Sequence, residues 1–422
     1  MATSTERPLI ALLSRGITGG GVQHMMLNLA RELVRYGYRV DLLVREENHG
    51  DTHAMPDGVR LEILTRSSRW QAHLLAMRAD PKGIMTMARP VLLPITPASV
   101  LTYLPALRHY LAHERPAALI AATTYLNVAA VWAVALAKTS TRLVLSERDN
   151  LSTSIFAADK RRKWRWRFAP PLVRRAYSRA DAVVSVSDGV GDDLAQVTGL
   201  ARRAITTIYN PAITVDLAKR CAAPITHPWL VSSGPPVVLA AGRLVEKKDY
   251  ATLLRAIAIG RRRQAIRLII LGDGPERGRL EALCHELSIS DIVDMPGYEA
   301  NPHAYLARAA VFVLSSRREG FPNVLLEALA CGCPVVSTDC PSGPAEALAN
   351  GTFGRLVPVG DATALAEALL QTLRSPINRE TLQARAAQFT VARTTRRYLE
   401  LLRLEQSPAP DDSETYRHEF FS

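Results

Sequence analysis

Glu319 and Glu327 stand eight positions apart, with Gly320 and Pro322 beside the first and an apolar run around the second. Carboxylates accept hydrogen bonds from hydroxyl groups, so such a pair suits a polyol. The run Val311-Phe312-Val313-Leu314-Ser315-Ser316 before them reads as a buried strand. The run after them reads as a helix stopped at Gly332. Glu319 is therefore expected in a strand-to-helix loop, the place where open α/β sheets bind ligands. Backbone N–H groups of residues 320 to 324, including Gly320, Phe321, Asn323 and Val324, would open that helix and favour an anion. Glu327 sits inside the helix, on a face that could point back to the same crevice. Carboxylates for hydroxyls and amides for phosphate make this a polyol-and-phosphate site in outline.

A second segment supplies positive charge. Gly242-Arg243-Leu244-Val245-Glu246-Lys247-Lys248-Asp249 follows the apolar strand Val237-Val238-Leu239-Ala240-Ala241. Arg243 and Lys248 are expected at the same crevice. A guanidinium binds two phosphate oxygens at once, and an ammonium acts as a point charge. In Leu271-Gly272-Asp273-Gly274-Pro275 the glycines Gly272 and Gly274 let backbone approach a ligand closely. Near the N-terminus, Gly19-Gly20-Gly21 opens another helix, so Gly20 and Gly21 can admit a phosphate or sugar. A dinucleotide-binding loop needs G-x-G-x-x-G and an acid ending the next strand. The glycine order here is wrong for it, and Asp41 falls early in its strand.

The segment from Glu319 to Gly332 resembles the nucleotide-sugar signature of the retaining glycosyltransferases of family 4, which have the GT-B fold. Their setting is E-G-F-x-x-x-x-x-E-A-x-A-x-G, and every letter is present here. Their G-R-L-x-x-x-K-G is matched by residues 242 to 249, except that Asp249 replaces the last Gly and places a negative charge beside the cations. Residues 271 to 275 resemble their L-G-x-G-P loop. Met295-Pro296-Gly297-Tyr298 resembles the loop, with Gly297, that meets the nucleobase through its backbone. The resemblance implies two Rossmann-like domains facing across a cleft, with a C-terminal helix crossing back to the first. It implies that Glu327 holds ribose hydroxyls and Glu319 the transferred sugar's hydroxyls. Arg243 and Lys248 would stabilise the leaving diphosphate, with no metal and no cofactor beyond the nucleotide diphosphate sugar as co-substrate. Many family members carry a His in the loop occupied here by Ser146-Glu147-Arg148-Asp149-Asn150; this chain does not. Glu147 or Arg148 is expected to contact donor or acceptor there, a structural ion-pair loop being the alternative. Ser187 reads as a helix N-cap.

The 422 residues suffice for two or three domains, and 48% hydrophobic with 22% charged residues indicates a globular chain. The net charge of +12 implies an anionic partner: a membrane surface, a phosphorylated acceptor or nucleic acid. Five cysteines without paired spacing suit reduced thiols in a cytosol. Met1 to Arg7 run straight into an apolar strand, so no signal peptide is expected. Residues 116 to 137 are uncharged and long enough to span a bilayer, but read better as a buried strand, turn and helix.

Alternating strand and helix signals fill residues 1–211, expected as an N-terminal Rossmann-like acceptor domain. Residues 212–235 read as linker, 236–391 as a C-terminal nucleotide-sugar domain, 392–406 as the crossover helix and 407–422 as a disordered tail. Two stretches are candidate membrane contacts. Residues 66–110 begin amphipathic and then carry several prolines. Residues 159–168, Asp-Lys-Arg-Arg-Lys-Trp-Arg-Trp-Arg-Phe, interleave cations with aromatics.

The reading that results is a hexosyltransferase acting from a UDP-hexose or UDP-N-acetylhexosamine on a lipid-linked or cell-surface glycan. It would work at the cytoplasmic face of a membrane and without nucleic acid. The alternatives are an epimerase or phosphorylase on the same fold, or a non-catalytic protein binding membrane or nucleic acid.

Overall fold

A computed structural model describes residues 7–17, 20–45, 55–92, 99–156 and 164–404. They form two compact units, one of residues 7–211 with 391–404 and one of residues 212–390. The expected disordered tail, and residues 159–163 of the basic run, lie outside the described residues.

The first unit carries seven parallel strands: β1 (Leu9–Leu13), β2 (Arg39–Arg45), β3 (Val59–Leu64), β4 (Ala118–Ala122), β5 (Arg142–Glu147), β6 (Ala182–Ser185) and β7 (Ile205–Thr207). Their order is β3-β2-β1-β4-β5-β6-β7. Such an order needs a right-handed crossover between successive strands, usually a helix, which covers both faces. The side-chain period of two then sorts β1 cleanly. Ile10 and Leu12 pack with Met25, Leu29 and Leu33 of the helix Gly21–Arg35. Ala11 and Leu13 pack on the other face with Leu126 and Trp132. Each such buried aliphatic side chain contributes about 1.5–3 kcal/mol. The uncharged stretch 116–137 is β4 followed by the helix Thr124–Ala137, the strand–turn–helix expected. No helix among the described residues is long and apolar enough to cross a membrane.

The helix Val391–Leu402 belongs to this first unit although it follows the second in sequence. Tyr398, Leu399 and Leu402, all fully buried, join the cluster that holds Ile10 and Met25.

The second unit carries six parallel strands: β8 (Val237–Ala241), β9 (Arg267–Leu271), β10 (Val293–Gly297), β11 (Val311–Leu314), β12 (Val335–Thr338) and β13 (Arg355–Val357). Their order is β10-β9-β8-β11-β12-β13. The order reverses between β8 and β11, so the crevice beyond their carboxyl ends is the switch point at which such sheets bind ligands. The stretch 212–235, read as linker, holds two short helices, Leu217–Ala222 and Pro228–Val231. The first is tied to the second unit by Asn301, whose amide donates to the Arg220 carbonyl at 2.9 Å. Met295, Pro296 and Gly297, expected in a loop, form the end of β10.

Candidate active site

The loops after β8 and β11 meet at this switch point. The β11 loop carries Glu319, which is 7% exposed. Lys248 Nζ donates to Glu319 Oε1 at 2.6 Å, and Ser316 Oγ donates to the same oxygen at 2.7 Å. Both bonds fall on Oε1. Burial would raise the Glu319 carboxyl, but the charges of Lys248 and Lys247 and the two hydrogen bonds together bring it below the usual range. It is therefore a carboxylate at neutral pH, held beside a cation. Ser316 was missed in the sequence; its one signal is its position three residues before Glu319.

Three bonds lay the cationic loop onto the β11 loop. Arg317 N–H donates to the Lys247 carbonyl at 2.8 Å, and Ser315 Oγ donates to the Lys248 carbonyl at 2.8 Å. Arg317 Nε reaches Asp249 Oδ2 at 3.0 Å. Asp249 has φ +47° and ψ +45°, a left-handed conformation in which glycine is the default residue. Asp tolerates it through local hydrogen bonding, and Thr252 Oγ1 donates to its carboxylate at 2.8 Å. The charge that seemed to oppose the cations is thus taken up by Arg317. Arg243 is exposed, and its guanidinium has no ion pair or hydrogen bond among the described residues. The Tyr250 hydroxyl, buried without a partner among those residues, lies against Gly242. Burial and the neighbouring Glu319 charge hold it protonated.

The glycines make close backbone contacts. A Cβ on Gly272 would stand 2.2 Å from the Gly242 carbonyl oxygen, and one on Gly274 would stand 2.3 Å from that of Leu244. Gly242 N–H donates to the Leu271 carbonyl at 2.9 Å, and Leu244 N–H to the Asp273 carbonyl at 2.9 Å. Gly272 N–H donates to the Gly297 carbonyl at 2.6 Å, with Gly297 at φ +99°. Gly272 and Gly274 thus let the β8 and β9 loops touch, which shapes the loop bearing Arg243 and Lys248. Tyr298, next to Gly297, is 79% exposed.

The motif helix is Asn323–Ala330. Pro322 has no N–H, so the amides at its mouth are those of Gly320, Phe321, Asn323 and Val324. The Phe321 side chain belongs to the core: it is 5% exposed and its ring meets that of Phe389 at 5.6 Å. Glu327 Oε2 stands 3.6 Å from His303 Nε2 of the helix Pro302–Leu306. No contact joins Glu327 to Glu319, Arg243 or Lys248 among the described residues.

In the first unit, Gly21 begins the helix Gly21–Arg35, with Gly20 as its N-cap. Ser187 caps the helix Asp188–Thr198, accepting from Val190 N–H at 3.2 Å. Glu147 and Arg148, at the end of β5, are turned into the unit and bonded within it, on the side of the structural alternative. Tyr177 and Thr124 donate to the two Glu147 carboxylate oxygens at 2.6 and 3.0 Å. Arg148 donates to Asn210 Oδ1 at 2.9 Å and to Tyr398 Oη at 3.2 Å, holding the helix Val391–Leu402 in place.

Complete burial pushes the Glu147 carboxyl up to about 7, against the lowering effect of its hydrogen bonds. The folded state then holds a proton that the unfolded chain has released above an ordinary pKa of about 4.3. Its contribution to stability is greatest below that value and falls as pH rises towards 7. Glu147→Gln cannot ionise. Its destabilisation relative to the parent is expected to be smaller at pH 8 than at pH 5 by about 1–3 kcal/mol. Denaturant melts of both proteins at the two pH values check this; a pH-independent difference would mean that the group stays ionised.

Comparison with known proteins gives the family and the fold. The family described as Glycosyl transferases group 1 matches residues 226–389, and Glycosyltransferase Family 4 matches residues 19–215. The N-acetylgalactosamine-N,N'-diacetylbacillosaminyl-diphospho-undecaprenol 4-alpha-N-acetylgalactosaminyltransferase of Campylobacter jejuni is 33% identical over 47% of this chain and 52% of its own length. The lipopolysaccharide core biosynthesis glycosyltransferase LpsE of Rhizobium meliloti is 33% identical over 54% of this chain and 66% of its own. The matched part thus spans about half to two thirds of these relatives. Among solved structures, Anabaena HepE in complex with UDP-glucose aligns over 94% of this chain and 100% of its own, with a TM-score of 0.70 and 20% identity. That likeness is one of fold.

Proposed function

The chain belongs to glycosyltransferase family 4, the glycosyl transferases group 1, with the GT-B class of fold, and from that premise we propose that it transfers a sugar from a nucleotide diphosphate sugar to a lipid-linked or cell-surface glycan. One observation carries the reading: Lys248 and Glu319 paired at the β8/β11 switch point, with Arg243 exposed on the same loop. Arg243 and Lys248 neutralise the departing diphosphate, so the proposal requires no metal. Glu319 accepts hydroxyl groups of the transferred sugar, and Glu327 those of the ribose. Sugar leaving and acceptor arriving on one face give retention of configuration. The donor is a UDP-hexose or UDP-N-acetylhexosamine, a choice supported by the name of the Campylobacter relative and by the UDP-glucose complex of HepE.

The test is release of nucleoside diphosphate from UDP-, GDP- and ADP-sugars, with a bacterial membrane extract as acceptor source and a Glu319→Ala control. Release from a UDP-sugar that depends on both extract and Glu319 is expected. Donor turnover without acceptor would instead indicate hydrolysis or epimerisation, and release unaffected by Glu319→Ala would remove the site.

On the acceptor side, the proposed partner is an anionic membrane surface at the cytoplasmic face. The helix Arg69–Ala79 presents Trp70 and Leu74, 81% and 47% exposed, and the following turn presents Met85 at 86%. Arg69, Arg78, Lys82 and Arg89 stand among and beside them in the chain. The one acid between Glu62 and Glu114 is Asp80, which is buried and bonded to Arg175 at 2.6 Å. Basic groups around apolar side chains suit an anionic interface. Within the run 159–168, two of the described aromatics are engaged elsewhere. Trp166 packs edge-on to Tyr125 at 4.8 Å, and Phe168 lies under Arg89 at 4.9 Å, so both belong to the unit's own packing. The double variant Trp70→Ala, Met85→Ser is expected to weaken binding to phosphatidylglycerol vesicles roughly tenfold. Co-sedimentation checks it, and unchanged binding would place the contact elsewhere.

A further inference from the structure

Cys221 and Cys331 are 110 positions apart in the chain, yet their sulfurs stand 2.8 Å apart. Cys221 lies in the helix Leu217–Ala222 and is half-buried. Cys331 ends the motif helix, is 1% exposed, and gives its backbone N–H to the Glu327 carbonyl at 2.9 Å. The surroundings are cationic. Arg308 Nη1 donates to the Cys221 carbonyl at 3.1 Å, the Arg379 side chain lies against Gly332, and the Cys331 sulfur faces the His303 carbonyl at 3.8 Å. The bond from Cys331 lowers the Cys221 thiol below its usual range, and His303, Arg379 and Arg308 act in the same direction. The same bond, with burial, raises Cys331. Either sulfur can carry the shared proton, and Cys221, the less buried of the two, is the one that an oxidant from solvent meets first.

We propose that Cys221 and Cys331 form a modification site at which a hydroperoxide-class oxidant closes an intramolecular disulfide. The Cys221 thiolate attacks one peroxide oxygen, breaking the O–O bond, and becomes a sulfenic acid with release of hydroxide. The Cys331 sulfur then attacks the Cys221 sulfur; the S–S bond forms, the S–O bond breaks, and water leaves with the Cys331 proton. In sum, two thiols and one hydrogen peroxide give one disulfide and two waters. The other three thiols stand apart from this chemistry. Cys333 is 2% exposed, with its sulfur 3.6 Å from the Ala309 carbonyl. Burial pushes Cys284 up to about 11 and Cys340 up to about 12. The bond would tie the helix Leu217–Ala222, where the chain enters the second unit, to the helix bearing Glu327. This site is independent of the glycosyl-transfer reading.

The experiment treats the full chain with hydrogen peroxide at neutral pH, denatures it, alkylates the remaining thiols and maps the peptides. Loss of two hydrogens, alkylation of Cys284, Cys333 and Cys340 only, and a linked peptide pair holding Cys221 and Cys331 are expected. Dithiothreitol should restore alkylation at all five cysteines. The oxidised second unit should melt roughly 5–10 °C higher, because a long loop is closed in its unfolded chain. Cys221→Ser should leave Cys331 alkylatable at the same dose. Oxidation of Cys221 to sulfinic acid with Cys331 still free would overturn the proposal, as would five thiols surviving a dose that oxidises a reference dithiol.

Discussion

Arg243→Ala and Lys248→Ala should each lower turnover at least ~10²-fold, and only the second should lower the melting temperature. Both remove a cation from the proposed diphosphate site, and stabilising the departing charge is the largest catalytic contribution assigned to it. The two residues differ in what the fold asks of them. Arg243 is exposed without an ion pair or hydrogen bond among the described residues. Its loss leaves no buried group stranded. Lys248 is the principal cation of Glu319, and their side chains are 16% and 9% exposed. Removing it leaves a buried carboxylate with Ser316 and the more distant Lys247. Breaking a fully buried pair costs about 3–5 kcal/mol; with part of Lys248 in solvent, roughly 2–4 kcal/mol is expected. In the parent protein the Glu319 carboxyl is depressed, so its contribution to stability is present above the unfolded value and is lost as pH falls through the folded one. Without Lys248, burial pushes the carboxyl up instead. The deficit of the variant is then largest at neutral pH and shrinks in acid, where the group protonates. Donor-dependent nucleoside diphosphate release and thermal melts at two pH values measure both halves. Full turnover by Arg243→Ala would end the assignment of the diphosphate to this loop.

The placement of Glu319 was legible because it is carried by local patterns. A buried strand, a loop with Glu and Gly, and an apolar helix place Glu319 without any long-range information. The partners of that residue were less legible. Lys248 was singled out as a phosphate cation, and its bond to a carboxylate 71 positions away follows only once β8 and β11 are neighbours. Asp249 illustrates the limit from the other side. Its type reads as an opposing charge, while its role follows from a left-handed backbone and from Arg317 across the loop.

Three strands, β3, β10 and β13, carry a weak strand signal in the sequence. In β3 the burial pattern is only partial and its residues alternate with Arg60 and Glu62; β10 contains Pro296; β13 has three residues. All are edge strands, half-solvated or short, where the apolar signal is weakest. Glu147 and Arg148 show a related limit. A charged pair after a central strand looks like a ligand contact, and what buries it is Tyr177 and, from the far end of the chain, Tyr398. The nearness of Cys221 to Cys331 leaves no trace in sequence spacing at all.

Gly272→Ala should be the most damaging single methyl group in the second unit. The new Cβ would sit 2.2 Å from the Gly242 carbonyl oxygen, a backbone atom that no rotamer change can move aside. The residue also has φ +128°, where an L side chain is strained at any spacing. Strain of about 1–3 kcal/mol and displacement of a packed loop together should exceed roughly 3 kcal/mol, in the range reserved for large single-site effects. The consequence reaches chemistry through Gly242 N–H and Leu244 N–H, whose bonds to the Leu271 and Asp273 carbonyls hold the loop that presents Arg243 and Lys248. Turnover should therefore fall even where the variant remains folded, and donor affinity should fall with it. Gly278→Ala is the matched control. It lies in the helix Arg277–Glu286 with nothing within 4 Å of the place its new methyl would take, and should stabilise by about 1 kcal/mol. Thermal unfolding followed by circular dichroism separates the two, and a Gly272→Ala protein that melts with the parent would show that the β8 and β9 loops can part without cost.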